Sequence, residues 1–327
     1  MNLKLLGRRF GPCLAAMLMC VSAPAWSDEF PMKPIKIVVT YPPGGGTDIT
    51  ARLIGKRLGE NLGQAVIVEN KAGAGGSFGT EAVAKSAPDG YTLLLGNPGP
   101  NAINPALYSN LGYNAEKDFA PISVLTVMPL LLCVEVASPI KSVQDLVALG
   151  KSSDKKINFG SSGNGSLSHL AGEMFNSLAG TKFVHVPYKG AAPLTLATLT
   201  GEVQVGLLAG PDAYPQIKGG KLRAIGNTSI VRSTSFPDVP TLKEAGIPGF
   251  DIEIWYGLLA PAKTPRPIVD RLHKELEKIL AEPATKDALL ALSQTAAANT
   301  PEQFSALIKS DIAKYARLVK LSGAKVE

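Results

Sequence analysis

The chain has 327 residues, 33 Lys and Arg against 27 Asp and Glu, and three cysteines, which leaves room for two domains with ordinary cores. Three of the cations, Lys4, Arg8 and Arg9, fall in the first 27 residues, so the remainder holds 30 basic and 27 acidic side chains, too even and too scattered for a nucleic-acid footprint. No CxxC or Cys/His cluster offers a metal site, and no later stretch is apolar for long enough to span a bilayer.

The basic start, an apolar run over 14–21 and the small-x-small patterns Ala23-Pro-Ala25 and Ala25-Trp-Ser27 read as a cleavable secretory signal over 1–27, cut after Ala25 or Ser27. Cys13 and Cys20 leave with it. Cys133, inside Leu130-Leu-Leu-Cys-Val134, is expected to be a buried core residue of an exported, soluble protein without metal or cofactor.

Residues 36–54 open the folded part. Ile37-Val38-Val39-Thr40 predicts a strand, Tyr41-Pro-Pro-Gly-Gly-Gly46 a turn, and Thr47-Asp48 a helix start with an apolar stripe at Ile49, Leu53, Ile54, Leu58 and Leu62. A glycine-rich turn between strand and helix presents free backbone N–H groups in a faintly positive pocket, which suits an anion. A strand is expected at 65–68, a helix at 77–87 with Phe78, Ala82 and Val83 inward, and a strand at 91–95 after the Pro88-Asp89-Gly90 turn. Residues 96–114, rich in Asn, Pro and Gly, read as a surface or site-lining loop. Such alternation indicates a parallel sheet with helices on its faces.

Pro129 splits the apolar stretch 122–136, which predicts two segments joined at a bend, taken as the first crossing between lobes. A helix begins at Ser142-Val-Gln-Asp145. Residues 157–175 then repeat the opening architecture: a strand, a turn of Ser161, Ser162, Gly163, Asn164, Gly165 and Ser166, and a helix with Leu167, Leu170, Ala171, Met174, Phe175 and Leu178 inward. Strands follow at 183–187, 203–209 and 222–227, with helices at 191–200 and 212–217. Thr241-Leu-Lys-Glu244 has capping-box spacing and predicts a short helix stopped by Gly246. Residues 251–259 form the return crossing, and two long helices, the second capped by Thr300, end the chain. The expected domains are lobe 1, at 28–128 with 252–327, and lobe 2, at 129–251. Both Gly/Ser turns follow strand ends and should face the cleft between them.

Sharper chemistries lack parts. The first turn has no Gly-Lys-Ser/Thr for a nucleotide phosphate, and Gly73-Ala-Gly-Gly-Ser-Phe-Gly79 is only a loose dinucleotide pattern. Ser162 has Gly160 before it but Asn164 after it, which breaks a nucleophile elbow; an exported serine hydrolase cleaving small esters through Ser162 or Ser166 is the alternative reading. His169 and His185 are structural or site-lining, and His273 belongs on a solvated helix face. Asp48, Asp212 and Glu253 have plain places at helix starts or on a strand face, while Trp255-Tyr256 either walls the cleft or fills the core. Neither turn contains Lys or Arg, which fits a carboxylate held by backbone donors and bridging waters.

Over nearly the whole chain beyond residue 27 the sequence resembles the Bug-type extracytoplasmic solute receptors of tripartite tricarboxylate transporters. The resemblance rests on Tyr41-Pro-Pro-Gly-Gly-Gly-Thr-Asp48, Val68-Glu-Asn-Lys-Ala-Gly-Ala-Gly-Gly76, Ala87-Pro-Asp-Gly-Tyr-Thr-Leu93, Ser161-Ser-Gly-Asn-Gly-Ser166, His185-Val-Pro-Tyr-Lys-Gly190, Pro237-Asp-Val-Pro-Thr241 and Trp255-Tyr-Gly257, in that order. It implies a type II periplasmic binding protein, an α/β fold of two Rossmann-like lobes joined by two crossover strands. It also implies a periplasmic, non-enzymatic receptor, monomeric, that hands a small carboxylate to transporter membrane subunits or a sensor. The ligand carboxylate would be pinched between Tyr41, Pro42, Gly45, Gly46, Thr47 and Asp48 on one side and Ser161, Ser162, Gly163, Gly165 and Ser166, with His169 behind, on the other. Gly96, Asn97, Gly190, Ala191, Asp212 and Tyr256 would meet the rest of the ligand.

Overall fold

The computed structural model describes residues 30–152 and 156–324; the expected signal over 1–27 and both of its cleavage patterns lie outside the described residues. From Pro31 on, the chain alternates strands and helices. The first run is β1 (Ile35–Val39), α1 (Gly46–Leu62), β2 (Val66–Asn70), α2 (Ser77–Ala84), β3 (Thr92–Gly96) and the single turn α3 (Asn104–Leu107). The parallel order β2-β1-β3 is made by two crossovers, through α1 and through α2. α1 buries small residues, Thr47, Thr50, Ala51 and Gly55, beside Ile54 and Leu58. A Cβ at Gly55 would stand 3.1 Å from Val66, so the helix lies close on the sheet. That choice of face turns Ile49 outward, against the expected stripe. Phe78 is also outside, 63 % exposed, because its ring covers the bare backbone of Gly73.

β4 (Phe119–Glu135) is one unbroken strand of 17 residues, where two segments were expected. It serves two sheet regions in turn. Up to Pro129 it pairs antiparallel with β9 (Glu253–Pro261), which also pairs with β3; from Leu130 it pairs with β7 (Val205–Ala209) and β8 (Leu222–Asn227). Pro129 is tolerated because the partner changes there, so the ladder loses little from the missing N–H. Between these strands come α4 (Val143–Lys151, capped by Ser142), β5 (Asn158–Ser161), α5 (Leu167–Ala179), β6 (Val184–Pro187), α6 (Ala191–Leu199) and α7 (Gly210–Lys218). β7-β5-β6 is again parallel. The result is a curled ten-stranded sheet made of two α/β halves, with β4 and β9 running between them.

Thr228 ties these two strands together where they cross. Its hydroxyl accepts from Leu130 N at 3.0 Å and donates to Ile252 O at 2.7 Å, and the residue is fully buried.

The tail holds α8 (Arg266–Ala281), α9 (Pro283–Ala291), the two-residue strand β10 (Thr295–Ala296) and α10 (Pro301–Ser322). α9 is a helix beyond the two expected. α10 keeps the anticipated capping box on Thr300 and Gln303. The Thr241–Glu244 box forms too, with Thr241 N to Glu244 Oε2 at 2.8 Å and Glu244 N to Thr241 Oγ1 at 3.1 Å, but only a turn follows it. Gly246, at φ 91°, stops the chain before a second turn can add helical bonds.

Among the apolar cores of the described residues, two meet α10. One packs Val38, Leu94, Val124 and Leu259 with Trp255 and the start of α10, through Phe304 and Ile308. The other packs Leu130, Leu132, Phe159, Phe175 and Leu207 with the end of α10, through Tyr315, Leu318 and Val319, and Ile312 touches both.

Candidate functional site

A cavity of about 490 Å³ opens between the two halves, within the usual range for a small-molecule site. Four helices start at its wall. Gly45, Gly46 and Thr47 bring the α1 start, Ser166, Leu167 and Ser168 that of α5, Gly190 and Ala191 that of α6, and Ala209 and Asp212 that of α7. First-turn N–H groups have no intrahelical acceptor, and each helix start carries a partial positive charge. Among the described residues no Lys or Arg lines the cavity.

The first loop divides its labour. Gly45 caps α1 with extended backbone and no side chain, which leaves the Gly46 and Thr47 amides open to the cavity. Asp48 turns the other way. It accepts from Gly44 N, Arg52 Nε and Asn70 Nδ2 at 3.0 Å each. Burial raises its pKa, but the bonds from Arg52, Gly44 and Asn70 outweigh this and hold the carboxyl below the usual range. Asp48 is therefore a brace for the loop, not a lining group. Pro42 is exposed and away from the cavity. Tyr41 lines it, with its hydroxyl 3.4 Å from Asn97 Oδ1, and burial pushes its pKa up to about 12. Asn97 lines it as well. Gly96 does not: a Cβ there would stand 2.5 Å from Leu259 and 2.7 Å from Asn101, so it is a packing glycine.

The second loop spends most of its donors on itself. Ser162 N donates to Ser168 Oγ at 3.0 Å, Gly163 N to Ser161 Oγ at 3.2 Å, Gly165 N to His169 Nδ1 at 3.1 Å and Ser166 N to Gly163 O at 3.1 Å. What reaches the cavity is a hydroxyl cluster, with Ser168 Oγ 3.1 Å from Ser162 Oγ and 2.9 Å from Ser166 Oγ. Gly163 and Gly165 line the wall beside it. Ser161 and His169 stand behind the loop. Ser161 has no exposed surface and its Oγ lies 2.6 Å from His185 Nε2. His169 stacks on His185 with centroids 3.8 Å apart, and His185 stacks in turn on Phe159. Burial, and for His185 also the neighbouring imidazole, lowers both pKa values to about 4. The rings are neutral at pH 7, and Gly165 N–H fixes the His169 proton on Nε2.

Thirteen of the eighteen anticipated positions thus meet at one cavity, while Pro42, Asp48, Gly96, Ser161 and His169 lie outside its lining. The sequence reading missed Ser168, the second residue of α5, and an apolar floor of Leu130, Leu194, Leu207, Leu208 and Ile254. Ile103, Asn104, Leu107 and Tyr108, within the stretch read as a surface or site-lining loop, line the cavity too. Residues 99–107, expected as loop, are a short π-helical stretch, Gly99–Ile103, leading into α3.

The family model for the tripartite tricarboxylate transporter family receptor matches residues 50–324. This chain belongs to that family. Protein BugT of Bordetella pertussis is 36 % identical over 308 residues, covering 94 % of each chain. Among solved structures, Rpa4515 of R. palustris with adipate superposes at a TM-score of 0.82 with 32 % identity, over 91 % of this chain and all of the other. The periplasmic binding protein BugD superposes at 0.78 with 35 % identity over the same shares. The receptor therefore has the two-lobed binding-protein fold, and its family implies a periplasmic location and a solute-binding role.

Proposed function

We propose that this receptor captures a small carboxylate in the cavity and closes on it, with residues 28–128 and 252–327 as one lobe and 129–251 as the other. The end of α10 packs on the core of the second half, as Ala102, Ile103 and Ile252 do, so the division is shared there. The observation that carries the reading is the convergence of four helix starts on a cavity without Lys or Arg among the described residues. Partial charges and open amides suit a carboxylate, whereas a phosphate would usually recruit arginine or lysine. The adipate held by the similar Rpa4515 structure supports the same ligand class.

In this reading Gly46 and Thr47 donate from α1, the Ser162, Ser166 and Ser168 hydroxyls donate from the facing loop, and waters fill the gaps. An anion bridging both lobes stabilises the closed arrangement. The loaded receptor, exported by its signal segment and acting as a monomer, then presents the ligand to membrane subunits of a tripartite tricarboxylate-type transporter or to a sensor.

Mass spectrometry of the small molecule released on denaturing the purified protein tests the reading, with a carboxylate expected. The rival hydrolase draws no support from the geometry. Ser162 Oγ meets the Ser168 hydroxyl and Ser166 Oγ meets that hydroxyl and the His169 N–H that it caps, while the imidazole that meets a serine meets the fully buried Ser161. Ester turnover lost on Ser162→Ala or Ser166→Ala would reverse that preference.

A further inference from the structure

Asp212 is the one charged side chain on the cavity wall among the described residues, and the carboxylate reading gives its charge no partner. It sits in the first turn of α7, whose positive end makes a carboxylate tolerable there. Yet no hydrogen bond or ion pair among the described residues reaches it, and burial pushes its pKa up. The rest of the lining is uncharged. Tyr256 is the titratable group nearby, and burial drives that phenol's pKa upward, with Tyr41 and Asp212 adding to the shift. The α7 start also adjoins the α1 start: a Cβ on Gly46 would lie 3.2 Å from the Tyr256 hydroxyl and 3.9 Å from Pro211.

A cavity holding open amides at one place and an unpaired carboxylate close by has the charge pattern of a mould for a zwitterion. We propose that the cognate ligand is an amino-carboxylate, with its carboxylate at the α1 and α5 helix starts and its ammonium on Asp212. The proposal rests on the carboxylate reading of the same cavity and narrows it. A plain dicarboxylate would bring its second negative group toward Asp212 with no lining cation to offset the repulsion. An ammonium supplies the missing counter-charge and donors together, and an ion pair made in a dry site is worth more than the same pair in water.

Matched acids of two to six carbons test this by calorimetry on the full mature chain at pH 7.5. Each set compares an acid, its amino derivative at C2 or at the chain end, and the corresponding diacid, for example hexanoate, 6-aminohexanoate and adipate. A charge-assisted bond contributes about tenfold or more in affinity, so at least one amino acid should exceed both of its partners by that factor. Asp212→Asn should erase the preference while leaving the plain acid bound as before or more tightly. Diacids that win in the wild type and tighten as pH falls toward 5.5 would make Asp212 a proton donor and overturn the proposal. An ammonium preference that survives Asp212→Asn would overturn it too. Binding of plain acids and diacids with no amino preference removes this proposal alone, whereas no binding across the whole series removes the carboxylate reading with it. Thermal unfolding of Asp212→Asn without ligand provides the folding control. Its melting temperature at pH 7.5 should match or exceed the wild type, because an unpaired half-buried carboxylate has been removed.

Discussion

Two adjacent serines should give opposite phenotypes. Ser161 is sealed against His185 and serves the loop from behind, while Ser162 shows its hydroxyl to the cavity. Ser161→Ala leaves a half-buried imidazole nitrogen without its serine partner, which costs about 1 kcal/mol in urea unfolding. Ser162→Ala should hold stability within about 0.5 kcal/mol of wild type and lower the affinity for the bound carboxylate by about tenfold. The histidine stack makes a second residue-scale prediction. Both imidazoles titrate near 4 when folded and near 6.5 when unfolded. The unfolded chain therefore binds more protons between those values, and this contribution to stability is lost as pH falls from about 6.5 to about 4. Protonated His169 can no longer accept from Gly165 N–H, so the serine loop loosens at the same time. His185→Asn, which keeps a polar partner for Ser161 but does not titrate, should flatten the fall of melting temperature over that window by at least about 3 °C. At this scale the turn residues were legible because glycine and serine at a helix start have few other uses. The inward turn of Asp48 and Ser161 was not. Each depends on partners 22 and 24 residues away, Asn70 and His185.

The hinge belongs to the scale of elements. β4 and β9 run between the halves, and the one hydroxyl of Thr228 holds Leu130 on the first and Ile252 at the entry to the second. Thr228→Val conserves shape but leaves both backbone groups without that partner, so stability should fall by about 1–3 kcal/mol. The proposed closure would pivot at these bonds, so the same change should also alter the ligand-induced change in small-angle scattering; an unaltered change would remove the hinge role and leave a purely structural one. Most strands and helices were legible from alternation and from the 3.6-residue period. The failures have physical causes. The Thr241–Glu244 box has the same spacing in a turn as in a helix, since both bonds close within four residues. Ile49 and Phe78 face outward because small residues won the contact face of α1 and a bare glycine backbone offered Phe78 a seat. β4 read as broken because Pro129 is judged against one partner strand, and here the partner changes at that residue.

At the scale of the molecule, α10 stitches the two halves. Phe304 and Ile308 lie in the core that holds Trp255, Tyr315 and Val319 lie in the core around Phe159 and Phe175, and Ile312 touches both. Nothing in the sequence marked this, because an amphipathic helix of 22 residues looks the same whether its stripe meets one core or two. A shared helix should make the halves unfold together although each has its own core, since losing either one strips a face of α10. Trp255 reports on the first half directly: its indole donates to Asp311 of α10 at 2.8 Å and meets Phe304 edge-on, and it is the one tryptophan beyond residue 27. Its fluorescence and the far-ultraviolet dichroism should therefore give coincident urea transitions in the wild type. Tyr315 has no exposed surface and sits in the other core, so Tyr315→Ala should cost about 3–5 kcal/mol there without touching the Trp255 environment. The expected result is a split, with part of the dichroism lost at lower urea than the fluorescence. Transitions that shift together and stay coincident would mean that the crossing strands alone couple the halves, and α10 would then lose its part in that coupling.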